Sequence, residues 1–382
     1  MKKITQYLYI GLFLLMIGGG FVLNFGNLTE ATKEAVEEYD YDAWSIIIEN
    51  RFNDNFWNRY GFIEVNGTVH KILGQRQMNG MVKLNNGKLV STVEYRDVSY
   101  SAQNVIDFYA KLEEMNVPYI YIQAPYDICK YDSQLPAGIE DYSNYNADVF
   151  LQLLSENNVP NMDLRECLHE DGMDHYDSFY KTDHHWTIET SFWAYTEVVN
   201  CISDILGEAP DSKYLDMGNY TKTTLEDAVL GSNGRKTGIV YAGLDDITML
   251  VPNFETQVDL SIPEKDLYRQ GDFEDAFMFY ERLDGNNLYE MLQYNVYMGQ
   301  DYACAVETCQ NAPVDANILL IKDSFARPVS AFMGTVYSEV HCIDMRYYEG
   351  NIEEYIQSND IDIVVMMYNP YMLTNEGAYK FE

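Results

Sequence analysis

The chain has 382 residues, 47% of them hydrophobic, enough for a sizeable packed core and incompatible with a wholly disordered chain. Against 25 Lys and Arg stand 60 Asp and Glu, a formal net charge of −35. Such a polyanion repels phosphate backbones, which excludes nucleic-acid partners and favours neutral or polyhydroxy substrates. The 33 tyrosines offer flat faces carrying a hydroxyl; these suit sugar rings, and equally suit strands and cores.

Lys2 and Lys3 precede an uncharged stretch over 7–25 that includes Ile10, Leu12, Phe13, Leu14, Leu15, Met16 and Ile17. About twenty apolar residues cross a bilayer core as a helix, and basic residues on the short side keep that end in the cytoplasm. No small-x-small cleavage site follows, which favours a retained anchor over a removed leader. The expectation is a single-pass cell-membrane protein: a cytoplasmic tip and transmembrane anchor over 1–27, with everything after Gly26 extracytoplasmic.

Beyond the anchor, 28–41 is acidic and reads as a short spacer. Trp44, Ile47, Ile48, Phe56, Trp57 and Tyr60 recur at helical intervals over 43–73. Asn86-Gly87 between short apolar runs predicts a hairpin. Ser101 is placed to cap a helix with an apolar face of Val105, Tyr109, Leu112 and Met115. A buried strand over 119–124 ends at Pro125, a helix covers 147–154, and Ile188, Phe192, Tyr195, Val199, Ile202 and Leu206 form a helical stripe. The alternation lapses over 207–314, rich in Asp, Asn, Gly and Tyr, with strand-like runs at 237–241 and 247–251. It resumes with strands at 318–321, 340–343 and 361–367, a helix through Phe332 and another over 352–356. Near-continuous apolar strands alternating with helices predict an α/β domain whose parallel sheet is covered on both faces. Its first part spans 28–206 and its second 315–382, separated by a mostly-β insertion over 207–314 with a small sheet of its own.

Six cysteines are scattered through the chain. An exported location permits disulfides, and Cys304 and Cys309 are close enough in sequence to bridge a hairpin or to remain separate buried thiols. The lack of a CxxC pair argues against a structural zinc module.

Two segments carry chemistry. In Thr182-Asp183-His184-His185-Trp186, an extended chain turns Asp183 and His185 to one side and His184 to the other. A carboxylate beside an imidazole fixes its tautomer, as a general base requires. Trp186 either walls the site against water or anchors the following helix in the core. A metal site using these residues with His175 or Asp174 is disfavoured, because adjacent histidines diverge and HExxH spacing is absent. The second segment, 318–325, is a buried strand ending abruptly in Lys322-Asp323-Ser324-Phe325. Ser324 lies where open α/β sheets put their ligands, and the N–H groups of the following helix suit a developing oxyanion. Taken alone, Ser324 is equally an ordinary helix cap.

The Asp-His-His-Trp tetrad at 183–186 resembles the signature of the DHHW protein family. That family is similar to the alginate O-acetyltransferases, SGNH-type enzymes with an Asp-x-His-Trp motif upstream of an Asp-Ser-Phe nucleophile motif. The resemblance implies an SGNH-like fold and a catalytic triad of Ser324, His185 and Asp183, in the rearranged order Asp…His…Ser. Arg346, after the penultimate strand, and Asn369, after the last, are candidates for the oxyanion or substrate, together with Trp186; both also read as loop and salt-bridge groups. The implied activity is O-acetyl transfer to a cell-surface polysaccharide, beside a membrane-bound O-acyltransferase that delivers acetyl groups, with neither cofactor nor metal. The alternatives are a carbohydrate O-acetylesterase and a non-catalytic glycan-binding or assembly protein.

Overall fold

The computed structural model describes residues 2–37, 48–49, 51–53, 55–285 and 288–381. Lys2–Glu37 is one helix. Among the described residues no helix is long and apolar enough to cross a membrane, so the fold does not support the span expected over 1–27. The side chains of Leu12, Phe13, Met16 and Ile17 lie outside the described residues, as does most of 38–50, where the end of the acidic spacer and Trp44 fall. The described residues 48–49 and 51–53 are helical, and a further helix runs over Arg59–Ile72.

β1 (Gln77–Met78), β2 (Met81–Lys83) and β3 (Leu89–Val90) make a small antiparallel sheet. The predicted Asn86-Gly87 turn joins its last two strands, with Gly87 at φ 91, where a side chain would be strained. Further along come β4 (Tyr119–Gln123), β5 (Asn161–Asp163) and an isolated hairpin of β6 (Tyr220–Val229) and β7 (Asp245–Pro252). They are followed by β8 (Val258–Ile262), β9 (Leu267–Gly271), β10 (Cys304–Cys309), β11 (Val314–Lys322), β12 (Tyr337–Ile343) and β13 (Ile363–Tyr368).

The main sheet has eight strands in the order β5-β4-β13-β11-β12-β10-β8-β9. The five from β5 to β12 run parallel, and β10, β8 and β9 extend the sheet antiparallel. The fold is thus mixed α/β with a large, mostly parallel sheet. Its register explains the apolar runs: Ile318 and Leu320 of β11 enter one core while Leu319 and Ile321 enter the other. The first core is covered by the helices Ile188–Leu206 and Arg327–Met333, the second by Ser99–Met115, Ser143–Glu156 and Ile352–Ser358.

Residues 207–314 supply both the hairpin β6–β7 and the edge strands β8, β9 and β10. Three local expectations are corrected. Ser101 is not a cap: it is buried inside the helix Ser99–Met115, and Asp97 Oδ1 instead accepts the Ser99 N–H at 3.0 Å. The run 237–241 is helical, in Ser232–Thr237 and Ile239–Ala242, because Gly238 at φ 90 breaks the strand-like pattern. Cys304 and Cys309 are free thiols at opposite ends of β10. A strand rising ~3.3 Å per residue holds its ends far beyond bonding distance.

Candidate active site

The 179–186 loop is closed by an antiparallel bridge between Phe179 and Trp186, reinforced where Tyr180 N–H donates to His185 O at 3.2 Å and Thr187 N–H to Ser178 O at 2.9 Å. Thr187 then caps the helix Ile188–Leu206, its Oγ1 accepting the Thr190 N–H. Inside the loop the chain is bent rather than extended. Asp183 Oδ1 accepts both the His185 backbone N–H at 3.0 Å and its ring Nδ1–H at 2.5 Å. Asp183 and His185 therefore pair as the spacing predicts, by way of a local turn. His184 does not point away: the two imidazoles lie 3.9 Å apart between centroids.

Ser324 opens a short 3-10 turn directly after β11. Its Oγ lies 2.8 Å from His185 Nε2, across 139 positions of sequence. One continuous chain thus runs from Asp183 through His185 to Ser324, with Asp183 and His185 buried and Ser324 8% exposed. Burial pushes the Asp183 carboxyl up, but the imidazoles of His185 and His184 and the Ser232 N–H outweigh it and hold it well below the usual carboxylate range. Burial pulls His185 below its ordinary value, against the opposing pull of Asp183. His184 is pushed down to about 3 by burial and by His185, so it is neutral at physiological pH.

The loop is fixed from outside by the 207–314 segment. Ser232 N–H donates to Asp183 Oδ2 at 2.6 Å, and Ser232 Oγ sits 2.7 Å from His184 Nδ1. Thr182 O accepts the Asn233 and Gly234 N–H groups, while Asp245 accepts the Lys181 and Thr182 N–H groups. Sequence patterning missed these contacts because their signal, Gly231-Ser232, is only a small-residue turn.

The remaining predicted residues serve the surroundings of this chain. Trp186 is fully buried and donates Nε1–H to Tyr294 OH at 3.0 Å and Phe325 O at 3.1 Å, so it is a core anchor. Arg346 pairs with Asp344 and with Asp301, 3.1 Å away. Asn369 gives its backbone N–H and Nδ2–H to Asp323 Oδ2, both at 2.7 Å, and Asp323 Oδ1 holds the Phe325 N–H at 2.9 Å. Asn369 thereby braces the turn beneath Ser324. The Phe325 and Ala326 N–H groups are both occupied by Asp323, contrary to the expectation of a free helix start.

Two side chains at the site were not anticipated. Tyr294 stacks on His185 with centroids 4.0 Å apart. Arg327 is buried, with Nη2 3.4 Å from His185 Nε2, Nε–H donated to Ser324 O at 3.2 Å and Nη1–H to Asn295. Its signal, a cation three residues after the serine on the same turn, is legible only once Ser324 is placed. Asp183, His184 and His185 bring ligand atoms within 4.8 Å of one another. Both ring nitrogens of His185 and Nδ1 of His184 are already engaged, so the donor set fits proton transfer better than metal binding.

Residues 88–232 match the family described as SGNH hydrolase-like domain, acetyltransferase AlgX. This SGNH-like match contains Asp183 and His185 and stops at Ser232, before Ser324. The resemblance drawn from the tetrad is borne out. In fold the chain is similar to Bacillus cereus PatB1, with a TM-score of 0.65 at 21% identity, covering 79% of this chain and 99% of that one. PatB1 with a sulfonyl adduct gives 0.65 at 22%, covering 81% and 99%. A DHHW family protein from Eubacterium siraeum gives 0.60 at 18%, covering 79% and 94%. No curated relative matches the sequence. At 18–22% identity these likenesses are ones of fold, and the family match covers residues 88–232 of the chain.

Proposed function

We propose that this protein transfers acetyl groups to hydroxyls of an extracellular polysaccharide through an acyl-enzyme on Ser324. The observation that carries the reading is the 2.8 Å approach of Ser324 Oγ to His185 Nε2, with Nδ1 held by Asp183. In the reaction Ser324 Oγ attacks the acetyl carbonyl carbon as His185 Nε2 takes its proton. The tetrahedral intermediate collapses, the donor's leaving oxygen departs with that proton, and Ser324 keeps the acetyl as an ester. A sugar hydroxyl then gives its proton to His185, attacks the ester carbonyl, and Ser324 recovers its proton as the acetylated sugar leaves. The oxyanion falls to the Ser324 N–H and to Nη2 of Arg327, the guanidinium nitrogen nearest His185, since Nε and Nη1 are turned to Ser324 O, Asp301 and Asn295. The donors of Arg346 and Asn369 are turned to Asp301, Asp344 and Asp323.

The acetyl donor in this scheme is delivered across the bilayer by a membrane-bound O-acyltransferase. Attachment of this protein to the membrane is supported by the exposed Tyr7, Ile10, Leu14, Leu15, Phe21, Val22, Leu23 and Phe25 of the N-terminal helix. Fractionation of full-length protein against a chain starting at residue 38 tests it; equal recovery in the soluble fraction removes this part.

Incubation with a sulfonyl fluoride, followed by peptide mass spectrometry, tests the core claim. PatB1, similar in fold, has been captured with a sulfonyl adduct. Labelling at Ser324 that disappears in Ser324→Ala supports an enzyme, whereas an unreactive Ser324 leaves the scaffold reading. Supplying an activated acetyl ester with and without glycan separates transferase from esterase: rapid acetate release without acetylated sugar means an esterase.

A further inference from the structure

The helix Arg59–Ile72 turns an apolar stripe to solvent. Phe62, Val65, Val69 and Ile72, spaced three and four apart, fall on one side of it with Leu73 at its end, each between 46% and 78% exposed. On the opposite side Gly67 is buried so closely that a Cβ there would stand 2.2 Å from Thr237 O. There Glu64 accepts the Ile239 and Val240 N–H groups and the Tyr289 hydroxyl. Isolated exposed apolar side chains are ordinary, whereas a continuous stripe on the outer face of a fixed helix marks a docking surface.

What surrounds the stripe sets its occupant. From Gly61 to Lys83 the chain carries Lys71, Arg76 and Lys83 against one acid, Glu64, in a protein where 60 acidic residues face 25 basic ones. That acid is turned inward, while Lys71 and Arg76 give their side-chain donors to the uncharged Val240 O and Asn85 Oδ1 and keep their charge. Apolar side chains flanked by cations fit an anionic headgroup layer, the stripe entering the boundary between headgroups and acyl chains. The stripe also adjoins a second apolar element. Trp57, 50% exposed, gives its N–H to Asn24 Oδ1 at 2.6 Å, and Asn27 Nδ2–H goes to Asn55 O. The chain entering the helix is thus tied to Lys2–Glu37 beside its exposed Phe21, Val22, Leu23 and Phe25. A second copy seated on this face by a two-fold axis would set like cations against each other. With 14 residues the helix is ~21 Å long, too short to cross a bilayer and suited to lying in its plane.

We infer that Arg59–Ile72 is an interfacial helix that seats the folded body on an anionic lipid surface. Phe62, Val65, Val69, Ile72 and Leu73 enter the boundary, and Lys71 and Arg76 meet the headgroups. This contact is separate from the N-terminal attachment and from the acyl transfer proposed above, and it fixes the orientation of the body. The helices Ser232–Thr237 and Ile239–Ala242 lie directly behind the face, and the Ser232 N–H holds Asp183. Seated this way, the serine–histidine chain stands behind one layer of short helices from the lipid.

Full-length Val65→p-benzoylphenylalanine protein, in vesicles holding no other protein, tests the contact. The vesicles are pure phosphatidylcholine or a mixture of phosphatidylcholine and phosphatidylglycerol, and adducts formed on irradiation are mapped by mass spectrometry. The expected product is a phospholipid adduct at residue 65, at least about fivefold more abundant in the anionic vesicles than in the neutral ones. Lys71→Gln with Arg76→Gln should bring that yield down to the neutral level. Absence of a lipid adduct overturns the inference, as does a yield indifferent to lipid charge. A chain-to-chain adduct in place of the lipid adduct also overturns it and assigns the face to a second copy. Should the Val65 variant fold poorly, Ile72→p-benzoylphenylalanine, at a position 78% exposed, gives the same reading. Recovery in membrane fractions and sulfonyl labelling of Ser324 are read separately, so failure of the N-terminal attachment or of the catalytic proposal is distinguishable from failure here.

Discussion

The Ser232 backbone N–H meets Asp183 Oδ2 at 2.6 Å, so a residue beyond the main helix Ile188–Leu206 holds the carboxylate that orients the histidine. Asp183 is thereby fixed at both oxygens, one by His185 and one by Ser232. A two-point grip of this kind sets the imidazole's tautomer and tilt before any substrate arrives.

Asp183→Asn keeps the size of the side chain and removes its charge, which lets His185 adopt the wrong tautomer. Acyl transfer should fall by about four orders of magnitude with the fold retained. Circular dichroism alongside a turnover assay checks this; near-normal rates would place the histidine's orientation elsewhere.

Gly231 has no room for a methyl group. A Cβ there would stand 2.3 Å from Asp183 Cβ and 2.5 Å from both Asp183 Cα and Thr182 O. Its φ of −65 is ordinary, so the penalty is steric rather than conformational. Gly231→Ala should push the 182–183 backbone outward and lower turnover by about a hundredfold, since misplacement on the order of 1 Å costs that much. Kinetics on the purified variant decides, and a loss of less than about twofold would show that the contact relaxes freely.

Catalysis needs His185 neutral, and burial holds its conjugate acid below the ordinary 6.5 despite Asp183. As pH rises, kcat/KM should climb through a midpoint below 6.5 and stay level through neutrality. A pH–rate profile with its lower limb centred above 6.5 contradicts this balance of burial against the carboxylate.

Glu307 of β10 is fully buried between neighbouring strands, and burial pushes its carboxyl up to about 7. The folded state then binds a proton that the unfolded chain releases nearer 4.5, so stability falls as pH rises from about 4.5 to 7. The loss is on the order of 3 kcal/mol. Glu307→Gln should flatten this slope in denaturant titrations at several pH values; an unchanged slope would assign it to other groups.

The sequence determined the parallel core by itself, because strands buried on both faces need unbroken apolar runs and the helices between them need a 3.6-residue stripe. It also marked the site's chemistry, since Asp183 and His185 stand two apart and Ser324 follows the apolar run of β11. Only the tertiary structure decided which polar groups surround that chemistry. Cys304 and Cys309 looked close until β10 stretched them apart, and Trp186 resolved into a core anchor once its N–H met Tyr294 and Phe325. Arg346, Asn369 and Arg327 were sorted by their partners, and Ser232 reached the site through contacts between distant segments. Local sequence encodes periodicity and turn chemistry, whereas the pairing of a buried charge depends on which remote group the packed chain brings within about 3 Å.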